Sequence, residues 1–302
     1  MPVISSLGAV SLRGYSSSGG NDIVATGQYT HEGNGAYQWV CPSGVTSVSV
    51  VCIGGGGGGV GFTSSSINQG GAGGGASISY KNNVKVTPGT TYILYIGKAT
   101  NSINGGTGYF GTSSSTALGV DGGYATFGIT SSLANSLCFA DGGLGGRGKP
   151  TDSTPYTGVL QGGYGGSVVS SFGSSTLGFG YGGQGGNGGS TAAAGGGGAG
   201  GYNGANGGRG YGTQGAAGAG GGSGAGAGGA GGAAGTQGTN GSGVSVLGTS
   251  PGGGTLYGGG GAAGSGVTGR TGNGGAIRIM WPGISRQYPS TIVADQPTVT
   301  IL

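Results

Sequence analysis

The one histidine of the chain, His31, stands beside Glu32, and a His–carboxylate pair is the smallest unit that could relay a proton or begin a metal site. Little else could join it. The remaining carboxylates are Asp22, Asp121, Asp141, Asp152 and Asp295, spread along 302 residues. Acid–base catalysis needs titratable groups that converge, and a His/carboxylate metal centre needs more ligands than residues 31–32 supply. Asp121 and Asp141 each precede Gly-Gly, where an aspartate commonly opens a turn. Cys41, Cys52 and Cys138 fit no metal spacing and cannot all pair within one chain. Buried free thiols are the expectation; a Cys41–Cys52 bridge would require neighbouring strands and an oxidising compartment.

Phosphate-binding patterns are also present in form. Residues 106–111 (GTGYFG) match GxGxxG, but roughly eight such matches are expected by chance in a chain with 90 glycines, and none opens a predicted helix. Lys98 and Lys149 follow glycines without the Ser/Thr of a Walker loop. The expectation is a non-enzyme with no catalytic, cofactor-binding or metal site.

Composition sets the background for this. Glycine fills 90 of 302 positions and charged residues only 5%, against ordinary values of roughly 7% and about 25%. Collagen would need a strict Gly-X-Y period rich in proline, and Pro numbers nine. Disorder would need low hydrophobicity and high net charge, whereas this chain is 33% hydrophobic with 15 Tyr and a formal charge of +4. The ten basic residues form no run, so nothing recommends a nucleic-acid partner. Neither a signal-peptide pattern nor an apolar run near the ~20 residues of a membrane span is evident.

Two textures alternate along the chain. One is strand-like. In residues 45–53, Val48, Val50 and Cys52 share a face at period two. Strands are expected also at 37–41, 76–80, 124–127, 136–140 and 275–281, where Ile277, Ile279 and Trp281 share a face. Residues 91–96 (TYILYI) read as apolar on both faces, hence buried between layers. No 3.6-residue apolar period marks a substantial helix.

The other texture is glycine at every third position, as at Gly195, Gly198, Gly201, Gly204, Gly207 and Gly210, and again from Gly226 to Gly241. Three residues per turn is the polyproline-II period, which has no internal hydrogen bonds. A lone glycine strand of this kind would be entropically costly. Several side by side can pair their N–H and C=O groups laterally. The expectation is an all-β, jelly-roll-like antiparallel β-sandwich over residues 30–281 with an inserted polyglycine-II bundle and little or no α-helix. Residues 1–29 and 282–302 read as N- and C-terminal attachment arms.

Segments 62–69, 107–120, 149–161, 167–179, 190–194, 211–217 and 244–251 interrupt the glycine runs and are rich in Ser, Thr, Tyr and Asn. Connections run over surfaces, and this vocabulary supplies rigid aromatic area with adaptable hydrogen bonding. The candidate receptor-binding anchors are Tyr109, Phe110, Tyr156, Tyr164, Phe172, Phe179, Tyr181, Tyr202, Tyr211 and Tyr257, each weighed against packing on the bundle or a sheet.

Residues 37–59 (YQWVCPSGVTSVSVVCIGGGGGG) resemble a module of virion structural proteins of tailed bacteriophages, cyanophages among them. Residues 275–290 resemble their closing segment: an Ile-Arg-Ile strand, Trp-Pro-Gly, then Arg286, Tyr288, Pro289 and Ser290. The middle is similar in organisation to the tip adhesins of T-even-like tail fibres, in which loops on a polyglycine-II bundle recognise host outer-membrane proteins. A sandwich with such a bundle also resembles the glycine-rich extracellular domain of anaplastic-lymphoma-kinase-type receptors, which speaks to architecture alone. The chain departs from the tip adhesins in its β-module and its irregular tail beyond residue 282.

The resemblance implies a tail-fibre or tail-tip adhesin in the virion, assembled in the host cytoplasm. Its partners would be other virion proteins and a host cell-surface glycan or outer-membrane protein, with no nucleic acid and no cofactor. Fibres are commonly threefold, which is compatible with a homotrimer, although no heptads specify one. The alternative is a non-binding virion component, a capsid decoration or fibre-assembly connector. An ice-binding glycine bundle would call for flat rows of Thr or Ala, which the Tyr-bearing loops argue against.

Overall fold

Period-two alternation builds two sheets, and period-three glycine builds everything inserted between their strands. The structure, a computed structural model, describes residues 26–32, 34–62, 69–97, 109–111, 117–131, 135–149, 165–166, 178–185, 194–202, 206–208, 210, 240–242, 256–265 and 269–289. In chain order the strands are β1 Gly27–His31, β2 Gly35–Val40, β3 Ser47–Ile53, β4 Val60–Phe62, β5 Gln69–Gly70, β6 Ile78–Lys85, β7 Thr91–Ile96, β8 Tyr109–Gly111, β9 Ala117–Leu118, β10 Ala125–Gly128, β11 Ser136–Ala140, β12 Arg147–Lys149, β13 Gly178–Gly180, β14 Gly264–Ser265 and β15 Ala276–Trp281.

A five-stranded sheet, β1-β15-β3-β6-β13, faces a four-stranded one, β11-β10-β7-β2. All pairings within the two are antiparallel. The last strand is filed between the first and third, as a jelly-roll-like sandwich requires. Val48, Val50 and Cys52 of β3 and Ile277, Ile279 and Trp281 of β15 meet Trp39, Leu94, Ile96, Phe127 and Cys138 of the opposite sheet in one buried core. Trp39 anchors it, with ring centroids 5.5 Å from Trp281 and 5.8 Å from Tyr92. Both sequence-paired triplets therefore share the faces expected of them.

Strand β7 departs from expectation. Tyr92, Leu94 and Ile96 are buried but Ile93 and Tyr95 are only half-buried. The four-stranded sheet has the sandwich on one side only; its outer face carries an aromatic row, Tyr95–Tyr124–Phe139, at 5.4 and 5.9 Å. In the five-stranded sheet β3 and β15 are buried along their whole length, as is the short β10 of the other sheet. The second face of the five-stranded sheet, with Val51, Ile53, Ile78, Tyr80, Ala276 and Met280, lies under Ala199, Tyr202, Tyr257 and Tyr288. The five-stranded sheet is thus the middle layer.

Strand β1 begins at Gly27 and pairs along β15, and residues 282–289 fold back on the middle sheet. A bulge in β6 opposite Val48/Val50, with Asn83 at φ 52, aims Asn82 at Tyr288. Asn82 then donates to the Tyr288 carbonyl (2.8 Å) and accepts from its N–H (2.9 Å). Buried Arg286 donates to the carbonyls of Gly27 and Trp281 and to Gln28, which also accepts from Arg278. Cys41, Cys52 and Cys138 are buried free thiols. Burial pushes the Cys41 thiol up to about 11.

The inserted runs carry the threefold signature in their hydrogen bonds. Gly55 and Gly58 donate to Gly123 and Val120, Gly56 and Gly59 to Asn273 and Arg270, Gly57 and Val60 to Gly74 and Gly71. Every third residue returns to the same neighbour. The next run repeats this: Gly73 and Ala76 donate to Gly261 and Gly258, Gly74 and Ser77 to Leu144 and Asp141. This is the lateral pairing of a polyglycine-II bundle. A Cβ on Gly57 would lie 2.0 Å from the Leu144 carbonyl oxygen, a backbone atom that cannot yield locally.

Registers give the molecule two poles. Ile53, Ile78, Ile96, Ala125, Ala140 and Ala276 end their strands side by side, and the glycine runs leave or enter there. At the other pole lie Gly27, Trp281, the end of β10 at Gly128 and the short turns 41–46 and 86–90.

Gly57→Ala is expected to cost about 3 kcal/mol or more, because separating the runs strands buried N–H and C=O groups at about 1–3 kcal/mol each. Gly44→Ala, at φ 78 in open space, should cost only about 1–2 kcal/mol of backbone strain. Thermal or urea unfolding followed by circular dichroism distinguishes them, and equal losses would overturn the close-approach account.

Candidate functional site

From Gly54 the first run extends to β4, and at about 3.1 Å per residue Phe62 stands roughly 25 Å beyond the sandwich. Two small sheets close this distal end: β5-β12-β9, antiparallel, and β14-β4-β8, parallel. They form where larger residues return to the sequence (Val60, Phe62, Leu118, Arg147, Lys149). Buried Ala72, Ala194 and Ala263 pack together just below.

The chain leaves and re-enters this end repeatedly. Segment 63–68 joins β4 to β5, 112–116 joins β8 to β9, and the chain departs after Lys149 and after Ser265. Segment 186–193 leaves beyond Gly185, beside Ala72, and the chain after 211–239 resumes at Asn240, whose side chain bonds Ala262 N–H (3.0 Å) and the Thr271 carbonyl (3.0 Å). Two further segments adjoin the base of the bundle. Segment 167–177 leads into β13, paired with Ser79 and Tyr80 at the base of the bundle, and 243–255 begins after Ser242, bonded to Ala199 there.

This sorts the aromatic candidates. Tyr109 and Phe110 lie in β8 at the distal end, opposite Val60 and Gly61. Phe179 lies in β13 at the base, followed by exposed Tyr181. Tyr156, Tyr164, Phe172 and Tyr211 fall outside the described residues. Tyr202 and Tyr257 do not meet the expectation of loop anchors: they are 1% and 5% exposed. Tyr202 stacks on Tyr288 (5.7 Å, 14°) and tilts against Tyr80, while the Tyr257 hydroxyl donates to Glu32. The reason is the second apolar face of the middle sheet, which needs large rings to cover it.

What sequence reasoning missed is where charge goes. Asp141 and Asp121 sit in the basal half, accepting from the N–H groups of Gly142 (2.9 Å) and Gly145 (2.7 Å). Burial raises the Asp141 carboxyl above the usual carboxylate range; the Gly142 N–H opposes this and the nearby Asp121 charge adds to it. Arg147 and Lys149 of β12 and, much later in sequence, Arg270 lie in the distal half: Arg147 opposite Leu118, Lys149 opposite Gln69, and Arg270 bonded through its backbone to Gly59 and Ala262. Only the return of the chain brings Arg270 to that half, which no local pattern reveals. Among the described residues, no three His, Cys, Asp or Glu side chains gather into a metal-binding group.

No protein-family model matches this sequence. No curated protein matches it either.

Tyr202→Ala is expected to cost about 3–5 kcal/mol, as for deletion of a large core aromatic, while leaving any distal binding unchanged in the fraction that stays folded. For Asp141 the folded pKa lies above the unfolded value, so its contribution is complete at low pH and is lost as pH rises through the folded pKa. Asp141→Asn is therefore expected to raise the melting temperature at pH 7 and leave it unchanged near pH 3. A destabilising effect at pH 7 would show that the charge matters for the bundle.

Proposed function

We propose that this chain is a bacteriophage virion protein, a tail-fibre or tail-tip adhesin that contacts the host cell surface with the segments at the distal end of its glycine bundle. The observation that carries the reading is the two-pole layout. Chain N-terminal to residue 26 joins at the pole with the short turns, and segments rich in Ser, Thr and Tyr branch from the opposite end. A rigid spacer with attachment at one end and free connecting segments at the other is what presentation requires. Rigid scaffolds carrying function on their loops are a general solution. Lateral backbone pairing supports this, because it leaves segment composition free to vary without disturbing the spacer. Copies on one particle would multiply weak single contacts.

The second reading is a non-binding virion component, and the pole away from the bundle is compatible with both. Ile129 and Ile284, 60% and 63% exposed, stand with Val40 at the pole away from the bundle, where a neighbouring protein would be held in either case.

The test is binding of fluorescent, multimerised protein to a panel of cyanobacterial and other marine bacterial cells. Replacing 63–68 and 112–116 with Gly-Ser connections should abolish saturable binding with an unchanged circular dichroism spectrum. The same replacement of the basal segment 167–177 should leave it intact. Binding by no version of the protein would overturn the adhesin reading in favour of the structural one.

A further inference from the structure

The fold brings two of the three thiols together across the sandwich. Cys52 of β3 lies directly opposite Ser79 of β6. Their neighbours Val51, Ile53, Ile78 and Tyr80 belong to the second face of the middle sheet, so Cys52 and Ser79 both point into the core. Opposed side chains of an antiparallel pair have Cβ atoms about 4.5–5.5 Å apart. From the other sheet Cys138 of β11 arrives at the same spot. Its Sγ is 3.4 Å from the Ser79 hydroxyl oxygen and 3.6 Å from the Ser79 carbonyl oxygen. Cys52 and Cys138 are accordingly hydrogen-bond partners, and both are buried. Cys41 takes no part: its Sγ donates to the Val45 carbonyl (3.2 Å) in the turn at the opposite pole.

The pair sits where two glycine runs begin. Ile53 and Ala140 end their strands, and just beyond them Gly143 and Gly146 donate to Gly55 and Gly58. A covalent link between Cys52 and Cys138 would fix the roots of two runs that are already paired laterally.

We propose that Cys52 and Cys138 close into a disulfide between the two sheets when the protein meets an oxidising medium, stapling the base of the bundle. The oxidant is a low-molecular-weight disulfide, RSSR. The Cys138 thiolate attacks one sulfur of RSSR, giving a Cys138–SR mixed disulfide and RS⁻. Cys52, as thiolate, then attacks the Cys138 sulfur and expels the second RS⁻. The two protons shed by the protein thiols end on these anions, so two thiols are oxidised while RSSR is reduced to two RSH. Cys138 is the entry point on two grounds. Its strand is the outermost of its sheet, where local opening reaches it without unfolding the sandwich. Hydrogen bonds from Cys52 and Ser79 also lower its thiol pKa against the opposing effect of burial, whereas burial pushes the Cys52 thiol up. The inference concerns the scaffold and stands whatever the distal end binds.

The experiment uses the full chain, unfolded under reducing conditions and refolded with either dithiothreitol or a mixture of reduced and oxidised glutathione. Thiols are then counted in denaturant, and unreduced proteolytic fragments are identified by mass spectrometry. Three thiols are expected after reducing refolding and one after oxidising refolding, with Cys52 joined to Cys138 and Cys41 free. The linked form should melt about 5 °C or more above the reduced form, because the bond closes a long loop of the unfolded chain. Cys41→Ser should keep both effects, and Cys138→Ser should lose both. Should Cys138→Ser not fold, the fragment map of the unsubstituted chain decides by itself. Three free thiols after refolding with glutathione, in protein with a native circular dichroism spectrum, overturn the inference. So does a bond that involves Cys41 or joins two chains, or a linked form that melts no higher than the reduced one.

Discussion

The structure depends on one constraint: buried backbone N–H and C=O groups must be paired, and here the pairing runs between neighbouring extended runs at a spacing that admits no Cβ. The cycle Gly55–Val60, which visits three neighbours in turn and then repeats, satisfies every donor of that run outside a conventional sheet. A net gain of about 0.5–1.5 kcal/mol per hydrogen bond would not alone offset the ordering of so much glycine. The bundle is therefore anchored where apolar burial is available, at the sandwich. Tyr202, Tyr257 and Ala199 bring runs down onto the middle sheet, and Ala72, Ala194 and Ala263 join runs higher up.

That dependence explains why the five-stranded sheet is the middle layer. One face makes an ordinary sandwich core with Trp39 at its centre. The other gives the bundle an apolar floor and holds the returning segment 282–289. Buried arginines in such a place are tolerated only if hydrogen-bonded, and Arg286 meets that condition through Gly27, Trp281 and Gln28. Burial lowers the pKa of its guanidinium, and the neighbouring Arg278 adds to that effect.

Strand positions and bundle geometry were legible in the sequence because both are periodic. Val48-Val50-Cys52 and Ile277-Ile279-Trp281 announce a face, and glycine at every third residue announces the threefold screw. Covering relations were not legible. Nothing in TYILYI tells that its sheet has one neighbour while SVSVVCI has two, because that is decided by where residues 194–202 and 256–263 come to rest. Strand β1 was hidden for the same reason: GQYTH carries little apolar signal, and it is held by the edge of β15 and by Tyr29 stacked on Tyr37 at 4.4 Å. The aromatic candidates divided along this line, since a tyrosine that covers a sheet and one that serves a surface look alike in sequence.

The same reasoning bears on which end can evolve a binding function. At the base, each run is committed twice, through lateral hydrogen bonds and through a buried side chain such as Tyr257 against Glu32. A change there disturbs several neighbours at once, because interfaces between glycine backbones have no side-chain slack to absorb it. At the distal end the commitments thin to short pairings such as Gly264 with Gly61 and Lys149 with Gln69. Beyond them, insertion lengthens a loop at a cost that grows only logarithmically. Sequence variation is thus least costly where the chain stands farthest from its sandwich.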